Sequence, residues 1–93
     1  MKVILVYDVA TDDKEGVKRL NKVRKIAKRY IHHVQKSVFE GEITLSRLER
    51  LKAELSDIIH KTKDSVIIYV FDDKTQYKRE ILTDTPDPTD NVI

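Results

Sequence analysis

Two short segments of this chain are apolar at nearly every position, which is the pattern of buried β-strands. They are VILVYDV, from Val3 to Val9, and VIIYVF, from Val66 to Phe71. A strand with one face in water alternates apolar and polar side chains, whereas these two are apolar on both faces, as in strands covered on both sides. Any fold of this chain must therefore place both strands inside a sheet and provide cover for both faces of that sheet.

Two amphipathic helices are predicted between these strands. Apolar residues recur at helical spacing from Lys14 to about Ile31 and again from Thr44 to about Thr62. Each start carries a pair of residues at the spacing of a capping box, Asp12 with Glu15 and Ser46 with Glu49. The chain therefore alternates strand and helix signals.

The remaining segments complete the predicted order. His33 to Ile43 is rich in β-branched and aromatic residues and predicts two short antiparallel strands or one bent strand with a bulge. Tyr77 to Leu82 predicts a further, more polar strand. The order is that of an α+β, ferredoxin-like βαββαβ domain over residues 1–83 with an extra C-terminal strand. The two prolines predict that the acidic tail, residues 84–93, is extended or disordered.

This fold predicts a partner for the sheet. Both helices of a ferredoxin-like domain pack on one face, yet the two apolar strands have apolar side chains for the other face as well. The sequence has no third helix to cover it, and an exposed apolar sheet is an association site. We therefore expect a homodimer that forms through the open sheet face.

Composition narrows the function classes. The 93 residues suit one domain, and the absence of cysteine excludes disulfides and thiolate metal sites. With no leader peptide and no apolar run of membrane-spanning length, the expectation is a cytoplasmic protein without a membrane partner. Charge is placed unevenly: from Lys14 to Lys36 there are nine Lys and Arg residues against the single acid Glu15. Such a one-sided basic segment favours binding to a polyanion, although most lysine-rich helices are simply solvated.

Asp8 is the one carboxylate in the first apolar strand, and two interpretations of it are open. It can begin the following loop, in water or as a helix cap, since aspartate is common at strand ends. Alternatively, a carboxylate beside the hydroxyl of Tyr7 is a place to hold a metal ion.

Several segments, taken together, resemble a known family. They are VYDV (residues 6–9), the basic helix with Lys18 and Arg19, VQKSVFEG (residues 34–41) and DSVIIY (residues 64–69). In this order over residues 1–71, they resemble the small universal CRISPR-associated endonuclease subunit of the spacer-acquisition machinery. His32 and His33 depart from the family pattern, in which Gly and Arg often stand at the start of the second strand.

The resemblance implies a function and a site. It implies a ferredoxin-like homodimer in which Asp8 of each protomer meets its twin, binds Mg²⁺ or Mn²⁺ and cleaves phosphodiester bonds of RNA or double-stranded DNA. It implies a CRISPR integrase subunit as partner in spacer acquisition. The implied catalytic residues are Asp8, Tyr7, Ser37 and Phe39, and the nucleic-acid-binding residues are Lys18, Arg19, Lys22 and Lys36.

Two other functions are compatible with the sequence. The dimer can be a non-catalytic DNA-binding adaptor that bridges integrase dimers. A ferredoxin-like regulatory dimer for a small ligand is the third class, but it needs a polar pocket or a glycine-rich loop, and the chain has only Gly16 and Gly41. His33 is imaginable as a general base, although a surface histidine at a strand start is the commoner case.

Overall fold

The computed structural model describes residues 1–85 and contains four strands and two helices in βαββαβ order. The elements are β1 (Lys2–Asp8), α1 (Lys14–Lys28), β2 (His32–Gln35), β3 (Val38–Glu42), α2 (Leu45–Ile58) and β4 (Ser65–Phe71). The strands form one antiparallel sheet in the order β2-β3-β1-β4. This is the predicted ferredoxin-like arrangement, and the ambiguous segment from His33 to Ile43 is two strands with an irregular register between His33 and Gln35.

Strand β1 lies at the centre of the sheet, and its alternation divides the protein into two sides. Val3, Leu5 and Tyr7 are buried on the face that carries both helices. Ile4 and Val6 lie on the opposite face, which we call the open face, and are only partly buried. The core on the helix side includes Phe39 of β3 together with residues of both helices, Val23, Ala27, Leu48, Leu51 and Leu55.

Helix α1 begins at Lys14 as predicted, but the caps and the C-terminal ends of both helices differ from the prediction. The N-cap of α1 is Asp13, whose Oδ1 accepts a hydrogen bond from the Gly16 N–H at 2.7 Å, and the N-cap of α2 is Thr44. Helix α1 ends at Lys28, and α2 ends at Ile58 because the backbone of the next residue is extended. Neither helix within residues 1–85 has the length and hydropathy needed to cross a membrane.

The prediction of a fifth strand is wrong for the part of the chain that the structure describes. Tyr77 to Leu82 forms no strand within residues 1–85; instead it crosses the open face of the sheet. Arg79 Nε pairs with Glu40 Oε1 at 2.6 Å, and the ring of Tyr77 lies 5.7 Å from that of Phe71. Side-chain contacts thus hold the segment over the face, and it pairs with neither edge strand, β2 or β4, within residues 1–85. The predicted acidic tail lies mostly outside the described residues.

The open face is therefore covered in part by the chain itself. The crossing segment and the sheet border a groove of about 710 Å³ that is open to solvent, lined by Ile4 and Val38 from the sheet and by Ile81 and Leu82 from the segment. The side of the face near β4 stays open, since Ile67 is 47% exposed and Tyr69 is 52% exposed. These side chains, with Val6 between β3 and β4, form an apolar surface beside the end of β1.

Gly16 fixes how closely α1 approaches the loop after β1. A Cβ atom at this position would lie 1.8 Å from the carbonyl oxygen of Ala10, which belongs to the backbone and cannot simply rotate away. We expect Gly16→Ala to lower the free energy of unfolding by about 3 kcal/mol or more, because the helix must move off the loop. The gain in helix propensity of about 1 kcal/mol is too small to compensate.

Urea denaturation followed by circular dichroism measures this change. Gly41→Ala is the matched control, since its Cβ would meet a side-chain atom, Ile31 Cγ2, at 3.0 Å and that side chain can adjust. Equal losses for the two variants, or none for Gly16→Ala, would contradict the assignment of Gly16 as a close-contact residue.

Candidate active site at the end of the central strand

Asp8 ends β1 on the open face, in solvent. It shares this face with Ile4 and Val6, and its residue is exposed. Among residues 1–85 its carboxylate has no hydrogen-bond or ion-pair partner. It does not cap α1, because Asp13 does. In the single chain this carboxylate is therefore not buried, and its oxygens remain available to a ligand.

One serine pairs with Asp8 across the sheet, and a second lies in the turn opposite Tyr7. Ser65, the first residue of β4, is the cross-strand partner of Asp8, so both side chains point to the open face. On the other side, the backbone N–H of Tyr7 donates to the carbonyl of Ser37 at 3.1 Å, which places the turn between β2 and β3 next to the end of β1. Ser65 was not among the predicted site residues. The signal for it is the equal length of the two apolar strands, since antiparallel pairing aligns the start of one with the end of the other.

Tyr7 and Phe39 lie on the other side of the sheet from Asp8. The Tyr7 ring is 2% exposed and lies 6.0 Å from that of Phe39. Its hydroxyl donates to the carbonyl of Lys36 at 2.7 Å and accepts from Arg24 Nε at 3.3 Å. The interpretation of Tyr7 as a hydroxyl beside the Asp8 carboxylate is therefore corrected, because adjacent residues of a strand point to opposite faces.

The turn between β2 and β3 is held by the same group of residues. The ring of His33 stacks on Phe39 with centroids 4.4 Å apart, and His33 Nε2 lies 3.2 Å from the Lys36 carbonyl oxygen. Because a carbonyl oxygen only accepts, Nε2 is the protonated nitrogen in this contact, and Nδ1 is the nitrogen able to accept a proton. The Lys36 side chain itself is exposed at this turn.

A buried carboxylate, Asp64, joins the backbone segments around Asp8. Its side chain has no exposure to solvent. Its oxygens accept hydrogen bonds from Arg19 Nε at 2.8 Å and from a terminal nitrogen of the same guanidinium at 3.3 Å. The backbone N–H groups of Ala10 and His60 donate to it at 3.2 and 2.8 Å. Burial by itself raises the pKa of Asp64, but the Arg19 guanidinium and the two N–H groups lower it below its ordinary value of 3.8.

Arg19 is consequently paired with Asp64 of the same chain. Its side chain is 15% exposed, and the hydrogen bond to Asp64 raises the pKa of the guanidinium. Its Nε and one terminal nitrogen face Asp64, and that nitrogen also lies 3.5 Å from the Ala10 carbonyl oxygen, while the phosphate contact by Arg19 stays a prediction. Sequence reasoning placed it among the surface cations because its partner is 45 positions away.

The exposed cations of α1 form a stripe on its outer face. We call it the lysine stripe; its members are Lys14, Lys18, Lys22, Lys25 and Lys28. Spacings of four, four, three and three residues keep them on one side of a helix, over about 21 Å at 1.5 Å per residue. Within residues 1–85 only Lys18 has an acidic partner, Glu15 at 3.6 Å. The predicted contacts Lys18 and Lys22 belong to this stripe.

Asp8 suits a divalent metal ion only if the ion is shared with ligands from a second chain. Residues 1–85 contain no group of three or more His, Cys, Asp or Glu side chains that could hold a metal ion. Mg²⁺ prefers six oxygen ligands and commonly uses one or two carboxylates plus water. One free carboxylate with a serine hydroxyl beside it has the right donor chemistry, but a second copy of the chain is needed to supply a second carboxylate.

Comparison with known proteins decides the family. The family model described as "CRISPR associated protein Cas2" matches residues 1–79. The chain belongs to the Cas2 family. It is 52% identical to "CRISPR-associated endoribonuclease Cas2 2" of Moorella thermoacetica over 98% of this chain and 100% of that protein. It is 40% identical to the Cas2 endoribonuclease of Thermococcus kodakarensis over the full length of both.

Solved structures agree with the Cas2 fold. The crystal structure of Streptococcus pyogenes Cas2 at pH 6.5 has a TM-score of 0.77 to this chain at 36% identity, covering 89% of this chain and 100% of that one. The resemblance found in the sequence is therefore confirmed, and so is the ferredoxin-like fold. Asp8 of this Cas2 chain ends the central strand of that fold.

Asp64 should dominate the acid sensitivity of the Cas2 domain. Because its folded-state pKa lies below 3.8, its contribution to stability is present above that pH and is lost as the pH falls further through the folded-state pKa. We expect Asp64→Asn to lower the free energy of unfolding at pH 7 by about 2 kcal/mol, the value of charge-assisted hydrogen bonds to a buried group.

Urea titrations at pH 7 and pH 3 measure the free energy of unfolding of the wild type and the variant. The difference between the two proteins should be smaller at pH 3 than at pH 7. Asp57→Asn, at an exposed position on α2, is the control and should change stability little at either pH. A pH-independent difference for Asp64→Asn would show that the carboxylate charge is not what stabilises the fold.

Proposed function

We propose that this protein is a metal-dependent endonuclease that cleaves phosphodiester bonds of RNA or double-stranded DNA and takes part in CRISPR spacer acquisition with the integrase. The observation that carries the proposal is the unpartnered Asp8 carboxylate at the solvent-exposed end of the central strand. Its support is membership of a family in which similar proteins are named endoribonucleases.

The active unit in this proposal is a homodimer through the open face. Ile67 and Tyr69 are about half exposed beside the end of β1, and an apolar surface next to a free carboxylate suits a second copy of the same surface. A two-fold axis near this end of β1 brings two Asp8 carboxylates together. Their mutual repulsion favours a cation between them, which supplies the ligands that one chain lacks.

The residues of the site then have distinct roles. Asp8 would hold Mg²⁺ or Mn²⁺, which when bound supplies charge stabilisation for the phosphate and activates a water molecule. The hydroxyl of Ser65, the cross-strand partner of Asp8, is a donor able to hydrogen-bond a phosphate oxygen, and Ser37 belongs to the turn opposite Tyr7. Tyr7 and Phe39 act from the helix side by holding the Lys36 turn in place. The lysine stripe and Lys36 bind the sugar-phosphate backbone without reading its sequence.

The lysine stripe also supports a second function, the non-catalytic adaptor. Five exposed cations on one helix face, doubled in a dimer, give a surface for duplex DNA whether or not Asp8 reacts. In this reading the dimer holds DNA between integrase subunits. The two functions make different predictions for Asp8 and for the lysines.

Replacing Asp8 separates the two functions. We expect Asp8→Asn to lower Mg²⁺-dependent cleavage of RNA or duplex DNA about 100-fold or more, as removal of a group that stabilises transition-state charge does. The fold of each chain should be unchanged, because the carboxylate has no partner within residues 1–85, and the dimer should persist because its apolar surface is intact. Cleavage assays with labelled RNA and duplex DNA, with light scattering for the oligomeric state, provide the measurement.

Asp12→Asn, in the loop that follows β1, is the matched control and should retain activity. Cleavage that persists in Asp8→Asn, or that proceeds in EDTA, would sink the endonuclease proposal. Intact spacer acquisition in cells carrying Asp8→Asn would favour the adaptor.

Neutralising the lysine stripe should weaken nucleic-acid binding in a salt-dependent way. Each of Lys22→Ala and Lys25→Ala should reduce the slope of log affinity against log salt by about 1, the effect expected for one phosphate contact. The loss should be similar for different sequences, because phosphate contacts carry no base information.

Filter binding or anisotropy between 50 and 300 mM salt gives the slopes. Lys52→Ala is the control, since this lysine lies on α2 and pairs with Glu49 at 3.3 Å. Unchanged slopes in the two stripe variants would place the nucleic acid elsewhere on the surface.

A further inference from the structure

We propose that the Arg19–Asp64 ion pair is a positioning element that holds the Asp8 carboxylate in the arrangement needed for cleavage. The inference deepens the proposed function and rests on it. Neither residue faces the open side where substrate would lie: Asp64 is fully buried and Arg19 is 15% exposed. Both therefore act through Asp8 and not on the substrate itself.

The Asp64 carboxylate is attached to both sides of Asp8. Along the chain, it accepts the N–H of Ala10, two residues beyond Asp8. On the other strand, Asp64 is the residue immediately before Ser65, and Ser65 pairs with Asp8 across the sheet. A single side chain is thus linked both to the loop after β1 and to the first residue of β4. A shift of this carboxylate would move the backbone on both sides of the catalytic residue.

Arg19 provides the second attachment. It donates two hydrogen bonds to Asp64, and a terminal nitrogen of the same guanidinium lies 3.5 Å from the carbonyl oxygen of Ala10. Gly16, one turn earlier, lets α1 approach that same carbonyl. The loop after Asp8 is therefore held from the α1 side and the β4 side by one planar, forked group and its carboxylate.

The chemistry of the Arg19–Asp64 pair suits the positioning of nearby backbone better than the stabilisation of the fold. A buried ion pair commonly stabilises a fold no more than well-packed apolar residues of similar volume do, because both charges lose their hydration. What an apolar pair cannot provide is directional hydrogen bonds to the Ala10 and His60 backbone. A catalytic carboxylate displaced by about 1 Å can cost about 100-fold in rate, so such directional control matters here.

Three variants test the proposal: Asp64→Asn, Arg19→Gln and Arg19→Lys in the full chain. Each is assayed for Mg²⁺-dependent cleavage well below its own Tm, with the folded fraction measured under the same conditions. We expect kcat to fall about 100-fold in Asp64→Asn and Arg19→Gln. KM for the nucleic acid should change less than about twofold, because the lysine stripe is untouched. Arg19→Lys keeps the charge without the fork and should recover only part of kcat.

The matched control is Arg47→Gln. This arginine also donates a hydrogen bond to a backbone carbonyl, that of Arg29 at 3.0 Å, but the contact is exposed and lies away from Asp8. It should change stability and leave kcat of the folded protein unaltered. A kcat in the Asp64 and Arg19 variants that matches wild type once the folded fraction is considered would overturn the positioning role.

A readout without activity separates this inference from the proposed function. Amide hydrogen exchange in wild type and Asp64→Asn should show at least tenfold faster exchange at Asp8, Ala10 and Ser65, while Leu5 in the middle of β1 stays protected. Unchanged exchange at the three amides overturns the inference whatever the activity. A wild-type protein that does not cleave overturns the proposed function alone.

Discussion

The position of β1 between β3 and β4 is the constraint on which the rest of the structure depends. With antiparallel partners on both sides, every second residue of β1 must face the helices and the others must face the open side. Val3, Leu5 and Tyr7 meet the first requirement as part of the core. The same alternation carries Asp8 to the open side at the point where the strand ends. A one-residue change of register would bury the carboxylate and expose the tyrosine.

Two neighbouring cationic residues of α1 have different surroundings and different roles. Lys18 is exposed on the outer face of α1, while Arg19, the next residue, turns inward and pairs with Asp64. One hundred degrees of helical rotation separates a cation available to phosphate from a cation that organises the backbone around Asp8. The guanidinium suits the inner position because its fork can bind a carboxylate and a carbonyl together.

Much of the fold followed from local patterns, and the failures have a common cause. The two apolar strands and both amphipathic helices were predicted near their observed bounds, because period-2 and period-3.6 patterns are local properties. Helix ends were less accurate: Asp13 and Thr44 are the caps, where Asp12 and Ser46 were expected. Tyr77 to Leu82 has strand-like composition, but in the single chain it crosses the open face, where Glu40 and Phe71 contact it.

The residues of the candidate site also differ in how far the sequence alone could predict them. Asp8 could be identified from the sequence, because a carboxylate in an apolar strand conflicts with its surroundings. The roles of Asp64 and Ser65 were not predicted, although both stand at the start of DSVIIY, one of the segments that resemble the family. Their importance depends on pairing with residues more than 40 positions away, Arg19 in one case and Asp8 in the other.

By itself, then, the sequence determined the order of elements, the family and the residue that ends the central strand. Each of these is written in short-range patterns of hydrophobicity or in a contiguous motif. Only the tertiary structure decided that Tyr7 faces away from Asp8 and that Arg19 is an internal partner. It also decided that the chain's own C-terminal segment covers part of the open face. The physical reason is that hydrogen bonds and packing act across space, between groups whose separation along the chain leaves no local trace.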